Sequence, residues 1–376
     1  MKKALIAMSG GVDSSVAAML MREQGYECIG VTMRLHENWN AGGSSGNTCC
    51  SVSDAEDAAS VAARLGMPHY VFDYTEAFRI QVMDRFAQAY LAGRTPNPCI
   101  DCNRFLKFEL LYERAKALGC ETVVTGHYAR ILFNEKERRY ELRKGLDAAK
   151  DQSYVLYMLT QEQLKSISFP LGEYTKARVR ELAKCHGFIN ARKRDSQDIC
   201  FVPDGRYADF IERYTGRRVP EGNFVDEEGR VLGRHKGIFH YTVGQRRGLG
   251  IPAAVPYYVK AIRADTNEVV LAQREAVRSL MLVVHSFNWV SIPKPDGELR
   301  AMARVRYRQE EKPAAVRCLA EDRVMVRFDE PQAAVAPGQA LVLYAGDVVL
   351  GGGTIGKTCP ACRFPQDTER SDHAFF

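Results

Sequence analysis

Ala7-Met8-Ser9-Gly10-Gly11-Val12-Asp13-Ser14-Ser15 follows a short apolar run, Ala4-Leu5-Ile6, and leads into an Ala-rich apolar segment, Val16 to Met21. That order reads as strand, tight glycine turn, helix. Paired glycines let the backbone turn sharply and come close to a ligand. The first turn of a helix presents unpaired N–H groups and the positive end of the helix dipole, which suits an anion and above all phosphate. No Lys follows the glycines, so this is not a Walker loop. An Asp and three Ser hydroxyls stand there instead. The plain alternative is an ordinary Gly-rich connection. The length of the run and its place directly after an apolar strand argue against it.

Outward from this loop, strand and helix signals alternate. Leu5 to Met8 and Cys28 to Met33 read as strands, with Val16 to Gln24 as the helix between them. Asn38 to Thr48 is polar and glycine-rich and reads as a mobile loop. Ser53-Asp54 has the character of an N-cap for a helix running to Leu65. His69 to Phe72 is strand-like, and Thr75 to Leu91 has helical periodicity that Thr95-Pro96-Asn97-Pro98 ends. Asn103 to Leu118 reads as a helix and Glu121 to Thr125 as a strand. The alternation predicts an α/β fold whose N-terminal parallel sheet is covered by helices on both faces. Ligands of such sheets sit at the carboxyl ends of the strands.

The pattern changes after about Pro203. A mixed stretch rich in Gly, Arg and Tyr is followed from Leu280 by short strand signals: Met281 to Val284, Ala301 to Tyr307, Ala314 to Leu319, Arg323 to Phe328 and Ala340 to Tyr344. This spacing suggests a small β-barrel or sandwich, and a C-terminal β-barrel is the expectation adopted. The expected division is 1–205, a small mixed central domain at 206–280, the barrel at 281–365 and a loose tail at 366–376.

The chain has 376 residues, 46% hydrophobic and 26% charged, as in a soluble globular protein of two or three domains. No apolar stretch is long enough to span a bilayer. The start, Met1-Lys2-Lys3 and then Ala4 to Met8, is too short and too interrupted by polar residues for a signal peptide. A cytoplasmic location without a membrane partner is expected. The net charge of +6 permits a nucleic-acid partner without demanding one. Eleven cysteines in a reducing compartment point to thiols, metal ligands or catalytic groups rather than structural disulfides. Cys28, Cys120, Cys185 and Cys318 read as small buried hydrophobes. Cys49-Cys50, Cys99 with Cys102, Cys200, and Cys359 with Cys362 stand among turn residues.

The opening loop resembles the pyrophosphate loop of enzymes that cleave ATP between its first and second phosphates and adenylate a substrate. Further motifs narrow the resemblance: TPNPCIDCN at 95–103, Lys107-Phe108, GHYAR at 126–130, KDQSY at 150–154, SQDICFV at 196–202 and HKGIFHYTVGQRRGLG at 235–250. In this order they are similar to the tRNA-specific 2-thiouridylases over nearly the full length. The resemblance implies an ATP-dependent sulfur transfer to the wobble uridine of tRNA for Lys, Glu and Gln. It makes 1–205 the ATP-binding catalytic domain and 206–280 a tRNA-binding domain. It places ATP on Ala7, Met8, Ser9, Gly10, Gly11, Val12, Asp13 and Ser14, with Met33 flanking adenosine, Gly126 as a further contact, and Asp13 near the phosphates or Mg2+. Asn97 is expected to position the flipped target base. Lys150, Asp151, Gln152, Arg306, Tyr307 and Gln339 are expected tRNA contacts. His127 is either an RNA or phosphate contact or a packed structural histidine.

Cys200 resembles the family's persulfide carrier and Cys102 the partner thiol that frees the sulfur, closing a transient disulfide. A cysteine desulfurase or sulfur-relay protein is the implied donor. Some members carry Asp, a plausible general base, where this chain has Cys99. An alternative therefore stays open, in which Cys99, Cys102 and Cys200 bind an iron–sulfur cluster. Cys359 and Cys362 form half a zinc pattern, and no metal is assigned to them. Two rival functions remain: an adenylating amidoligase, disfavoured by the paired thiols, and a non-catalytic RNA- or metal-binding adaptor, disfavoured by the intact loop. Asn38 to Thr48 and the stretch around Cys200 are expected to order on tRNA binding.

Overall fold

The structure, a computed structural model, describes residues 2–36, 51–195, 199–202, 205–218 and 220–359. The Asn38 to Thr48 loop, Cys49, Cys50, Ser196 to Asp198, Cys362 and the 366–376 tail lie outside the described residues.

The first half contains β1 (Lys3–Ala7), α1 (Val12–Glu23), β2 (Glu27–Arg34), α2 (Val52–Arg64) and β3 (His69–Asp73). Next comes α3 (Thr75–Phe78), which continues through wide π-type turns at Arg79–Asp84 into α4 (Arg85–Leu91). Then α5 (Pro98–Asp101) continues through similar turns at Cys102–Leu110 into α6 (Leu111–Ala117). β4 (Thr122–Val124), the hairpin β5 (Ala129–Asn134) and β6 (Arg139–Lys144), α7 (Gln161–Lys165), β7 (Ile167–Ser168) and α8 (Lys176–Cys185) follow.

Strands β3-β2-β1-β4-β7 form one parallel sheet in that order. Its inner strands are covered on both faces, as the alternation predicts, while Tyr70 and Val71 of the edge strand β3 are exposed. Val16, Ala17 and Leu20 of α1, Ala58 and Val61 of α2 and Val179 of α8 make one core cluster. Phe78, Val82, Leu106 and Leu111 make the other. From β1 the chain builds outward to β3, then returns to β4 on the other side of β1. The order therefore reverses at β1, where sheets of this kind open a ligand crevice at their carboxyl edge.

Two helix starts differ from the sequence reading. α2 is capped by Ser51, which shares a capping box with Asp54. α5 begins at Pro98, not at Asn103: Asn97 is the N-cap, its side chain accepting from the Cys99 amide. Pro98 ends nothing here, because at the first helical position its missing N–H costs no hydrogen bond. Cys102 thus lies within the helical run rather than just ahead of it.

The rest comprises α9 (Tyr207–Thr215), β8 (Gly222–Val225), β9 (Val231–His235), β10 (Tyr258–Arg263) and β11 (Glu268–Ala272), then β12 (Arg278–Asn288), β13 (Glu298–Arg304), β14 (Lys312–Cys318), β15 (Val324–Ala333), β16 (Ala340–Ala345) and β17 (Val348–Cys359). The central sheet has the order β10-β11-β8-β9. β12-β15-β14-β13-β16-β17 closes on itself through β12–β17 pairing, which makes the expected barrel. β17 and the β5–β6 hairpin were not read from sequence. The hairpin joins the barrel sheet at Val348↔Arg143, and Arg130 and Arg143 hold Asp347 there. Cys185 departs from its expectation: it ends α8 and is exposed, whereas Cys28 and Cys120 are buried.

Gly10 sits at φ +69°, and a Cβ there would collide with the Asp54 backbone. Gly10→Ala is expected to lower the unfolding free energy by at least about 1–2 kcal/mol, the cost of a left-handed backbone for a residue with a side chain. Urea denaturation at neutral pH measures it.

Candidate active site

The loop between β1 and α1 is tied from within and from outside. Ser14 Oγ accepts from the Ser9 amide at 3.2 Å and donates to the Gly11 carbonyl at 3.0 Å, and Ser15 Oγ donates to the same carbonyl at 3.1 Å. Thr32 Oγ1 donates to the Met8 carbonyl at 2.8 Å. Asn190 Nδ2 donates to the Gly10 carbonyl at 3.0 Å and to Ser15 Oγ at 2.9 Å. Gly11 is the N-cap of α1 and offers no side chain to its amides. The helix start therefore keeps N–H groups for an anion. Gly126, just after β4, packs against the loop so closely that a Cβ would lie 2.9 Å from the Asp13 carbonyl carbon and the Ser14 nitrogen. Ala7 ends β1, and Met33, 7% exposed, lies toward the carboxyl end of β2. The residues expected around a nucleotide thus share the crevice edge.

Asp13, in the first turn of α1, is held by two residues that sequence reasoning missed. Lys176 Nζ donates to both its oxygens at 2.7 Å, and the Tyr128 hydroxyl donates at 2.8 Å. Burial and the Asp13 charge push the Tyr128 phenol far above its usual range, so it stays a protonated donor. Lys176 is only 8% exposed and also pairs with Asp195 at 2.8 Å. A lysine as the first residue of a helix opposes the helix dipole, and that was its sequence signal. Asp195 accepts from Lys150 at 2.7 Å and Arg180 at 3.0 Å as well. Burial works against its charge, but the Lys150 and Lys176 ammoniums outweigh it and hold the carboxyl below its usual value.

Cys102 and Cys200 are both half-buried and pack against the same apolar cluster, the one under α3 and α6. Cys200 lies in a turn closed by the Val202 amide on the Ile199 carbonyl at 2.9 Å. Its neighbour Phe201 anchors the turn, with its ring 5.7, 5.2 and 5.1 Å from those of Phe78, Phe86 and Phe210. Cys99, one helical turn before Cys102, is exposed. Among the described residues, no three His, Cys, Asp or Glu side chains gather as a metal ion requires.

The expected RNA segments meet. The Tyr307 hydroxyl donates to the Asp151 carbonyl at 3.0 Å, and the Tyr307 ring lies against Tyr154. Much of what these residues do is internal, however. The Asp151 carboxylate is 7% exposed and accepts from Gly145, Ser153 and the Ser153 hydroxyl. Gln152 accepts from the Tyr128 amide, Lys150 holds Asp195, and Arg306 donates to the Val243 and Ala334 carbonyls. Gln339 Nε2 donates to the Thr95 carbonyl at 2.9 Å, and the Thr95 amide donates to Pro337 at 2.8 Å. The barrel thus grips the loop that carries Asn97. His127 is 7% exposed, bonded to Thr125 Oγ1 at 2.6 Å and packed between Phe108 and Phe169. Its structural reading fits this burial.

A cleft of about 630 Å³ lies between α4, α5 and the turns after α5 on one side and the barrel on the other. Asn97, Ile100, Asp101 and Arg104 line it as one helical stripe, with Arg85, Arg94 and Asn288 among its other walls. Burial raises the Asp101 carboxyl, which Arg85 partly offsets. The cleft was missed because only the helix from Pro98 brings positions 97, 100, 101 and 104 onto one stripe.

Residues 2–204 match the model described as tRNA methyl transferase HUP domain, 208–273 the tRNA methyl transferase PRC-barrel domain and 279–355 the aminomethyltransferase beta-barrel domain. The tRNA-specific 2-thiouridylase MnmA of Carboxydothermus hydrogenoformans is 48% identical over 357 residues, covering 95% of this chain and 98% of that protein. This chain belongs to the tRNA-specific 2-thiouridylase family. Members from Lachnoclostridium phytofermentans, 48% identical over 95% of this chain and 100% of that protein, and Clostridioides difficile, 46% over 95% and 99%, agree. A solved 4-thiouridine synthetase–RNA complex with bound ATP is similar only at TM-score 0.35 and 18% identity, over 53% of this chain and 44% of that one, too distant to carry an argument. The 2-thiouridylase family thus covers the crevice, the thiols and the barrel alike.

Burial of His127 has a measurable consequence. Burial, helped by the Lys107 charge, holds its imidazole well below the ordinary 6.5, so it stays neutral in the fold. Below that pH the unfolded chain takes up a proton that the fold refuses. Stability therefore falls as pH drops below 6.5, with a slope from this residue that steepens toward about 1.4 kcal/mol per unit. His127→Gln is expected to have a shallower slope in calorimetry between about pH 6.5 and 5.5.

Proposed function

We propose that this protein is an ATP-dependent tRNA-uridine 2-sulfurtransferase acting on the wobble uridine of tRNA for Lys, Glu and Gln. The observation that carries the reading is one crevice-bearing sheet that holds a phosphate-type loop at its edge and presents Cys102 and Cys200 to a single apolar cluster. The names of the relatives support it. ATP is bound by Ala7 to Ser14; Mg2+ accompanying it would neutralise phosphate charge, and Asp13 would meet that ion only by giving up its bonds from Lys176 and the Tyr128 hydroxyl. The uridine 2-oxygen attacks the α-phosphorus and pyrophosphate leaves. The terminal sulfur of a Cys200 persulfide attacks carbon 2, and AMP departs. The Cys102 thiolate then attacks Cys200 Sγ. That breaks the S–S bond, leaves sulfur on the base and closes a Cys102–Cys200 disulfide, which a cellular dithiol reduces.

The sulfur comes from a cysteine desulfurase or relay protein in the cytoplasm. No helix among the described residues is long and apolar enough to cross a membrane. The working division is 1–205 for catalysis, 206–280 for tRNA binding, 281–365 for the barrel and 366–376 for the tail. Lys150 to Gln152, Arg306, Tyr307, Gln339 and Asn97 shape the RNA side, several of them by holding other segments in place. Arg85, Arg94 and Arg104 at the cleft add cationic groups suited to phosphate.

Incubation with ATP, Mg2+, unmodified tRNA for Glu, a cysteine desulfurase and cysteine is expected to yield 2-thiouridine and AMP in equal amounts, read by nucleoside mass analysis. Cys200→Ser is expected to abolish thiouridine while tRNA binding persists; unchanged turnover overturns the persulfide role. Arg94→Gln and Arg104→Gln are each expected to reduce the slope of log affinity for tRNA against log salt by about 1, the mark of a lost phosphate contact.

A further inference from the structure

The phosphate loop has no lysine of its own, and the fold brings one to it from a distance. Lys176 is the first residue of α8 and stands 163 positions from Asp13. Its amide donates to Asp147 Oδ2 at 2.9 Å, which pins the backbone. The residue is buried, and its Nζ reaches both Asp13 oxygens at 2.7 Å and Asp195 Oδ1 at 2.8 Å. Val179 and Ala183 of the same helix pack with Val16 and Ala17 of α1. Loop and ammonium therefore belong to one packed unit. Asp13 stands in the first turn of α1, so the ammonium that holds it lies beside the amides suited to an anion.

Neither carboxylate depends on Lys176 alone. Asp195 also receives Lys150 at 2.7 Å and Arg180 at 3.0 Å, and Asp13 also receives the Tyr128 hydroxyl at 2.8 Å. Asp13 and Asp195 set two negative charges against the three positive ones of Lys150, Lys176 and Arg180. The cluster thus carries an excess of positive charge at the edge of the crevice, and Lys176 is the member of it that touches the phosphate loop.

We propose that Lys176 is a catalytic residue of the adenylation step, its ammonium passing from Asp13 to the phosphate oxygens of bound ATP. This rests on the sulfur-transfer reading and deepens its first step. In the structure, Asp13 is the anion that Lys176 holds at the loop. A phosphate chain on the α1 amides carries more negative charge than one carboxylate and competes for the same Nζ. Buried charges are only weakly screened, so the competition is felt strongly. Asp195 stays paired through Lys150 and Arg180, and Asp13 keeps the Tyr128 hydroxyl. When the uridine 2-oxygen attacks the α-phosphorus, the bond to the bridging oxygen breaks and its electron pair leaves with pyrophosphate. Lys176 donates to the oxygens on which that charge gathers and gives up no proton. The part that a lysine inside the loop plays in a Walker site is supplied here from α8.

The test titrates ATP and adenosine into the full chain by calorimetry in EDTA, so that no metal engages Asp13. Asp13→Asn is expected to bind ATP severalfold more tightly than the unaltered protein, because the ammonium loses its competitor. Adding Lys176→Met to Asp13→Asn is expected to weaken ATP by about tenfold or more, the loss of one charge-assisted hydrogen bond, and to leave adenosine unchanged. A double variant that binds ATP as tightly as Asp13→Asn overturns the proposal, since Lys176 then serves only to neutralise Asp13. So does one that loses ATP and adenosine alike, the mark of a merely structural role. Lys176→Gln, which keeps a donor toward both carboxylates, takes the place of Lys176→Met if melting shows that the latter does not fold, with the same outcomes. With Mg2+ and tRNA present, Lys176→Met alone is expected to lower kcat for AMP release by about 100-fold while KM for tRNA holds; an unchanged kcat overturns the catalytic role. An unaltered protein that binds ATP but forms neither AMP nor thiouridine, with tRNA binding and sulfur loading verified, counts against the sulfur-transfer reading instead, and the titrations still decide what Lys176 touches.

Discussion

The left-handed turn at Gly10 is the constraint on which the carboxyl edge of the parallel sheet depends. It lets the chain leave β1 and enter α1 with the helix amides facing the crevice, and it allows the Asp54 backbone to press against it. Everything around the turn is arranged to hold it. Asn190 reaches its carbonyl, Thr32 fixes Met8 just before it, and Gly126 lies flat against Asp13 and Ser14. An anion site made of backbone needs this kind of support, because its donors cannot adjust by changing rotamer. Its geometry is only as good as the packing behind it.

Electrostatics then adds a second layer. Asp13 and Asp195 are both acidic, yet the surroundings are dominated by Lys150, Lys176, Arg180 and Lys193. Lys176 and Lys193 each bridge two carboxylates, and Lys150, Lys176 and Arg180 share Asp195. Shared ion pairs of this sort are sensitive to a new charge in a way that isolated surface pairs are not, since moving one partner changes the balance at the next. The network joins α1, α8 and the run before Cys200 without using the sheet itself.

The sequence made the local features readable. The phosphate loop, α1 and the β–α alternation depend on residues close together in the chain, and the structure has them within a few positions of where they were expected. The start of α5 was misplaced because Pro98 reads as a stop although proline is well suited to the first helical position. β17 escaped notice because its Gly351-Gly352-Gly353 run has poor strand propensity; those glycines let the strand cross close to neighbours such as the Tyr157 ring. Asp151, Gln152 and Gln339 were expected as tRNA contacts from the resemblance, but the bonds from Gln339 to Thr95 and from Tyr307 to Asp151 span the fold and leave no local trace. The same is true of the Lys176 bridge, whose partners stand 163 positions away in one direction and 19 in the other.

The cores do not respect the boundaries that the strand and helix patterns suggest. Phe108, Leu142 and Tyr154 share one cluster with Val290, Val342 and Tyr344 of the barrel, and Phe86 and Tyr90 share another with Phe224 of the central sheet and Phe239 of the turn after β9. The β5–β6 hairpin, which belongs by sequence to the first part, pairs with the last strand. A molecule built in this way has no seam. Exchanging its barrel for another, or expressing its first part alone, leaves apolar side chains facing water on both sides of the cut. Change in such a protein is confined to surfaces and loops, and its three parts must be inherited together.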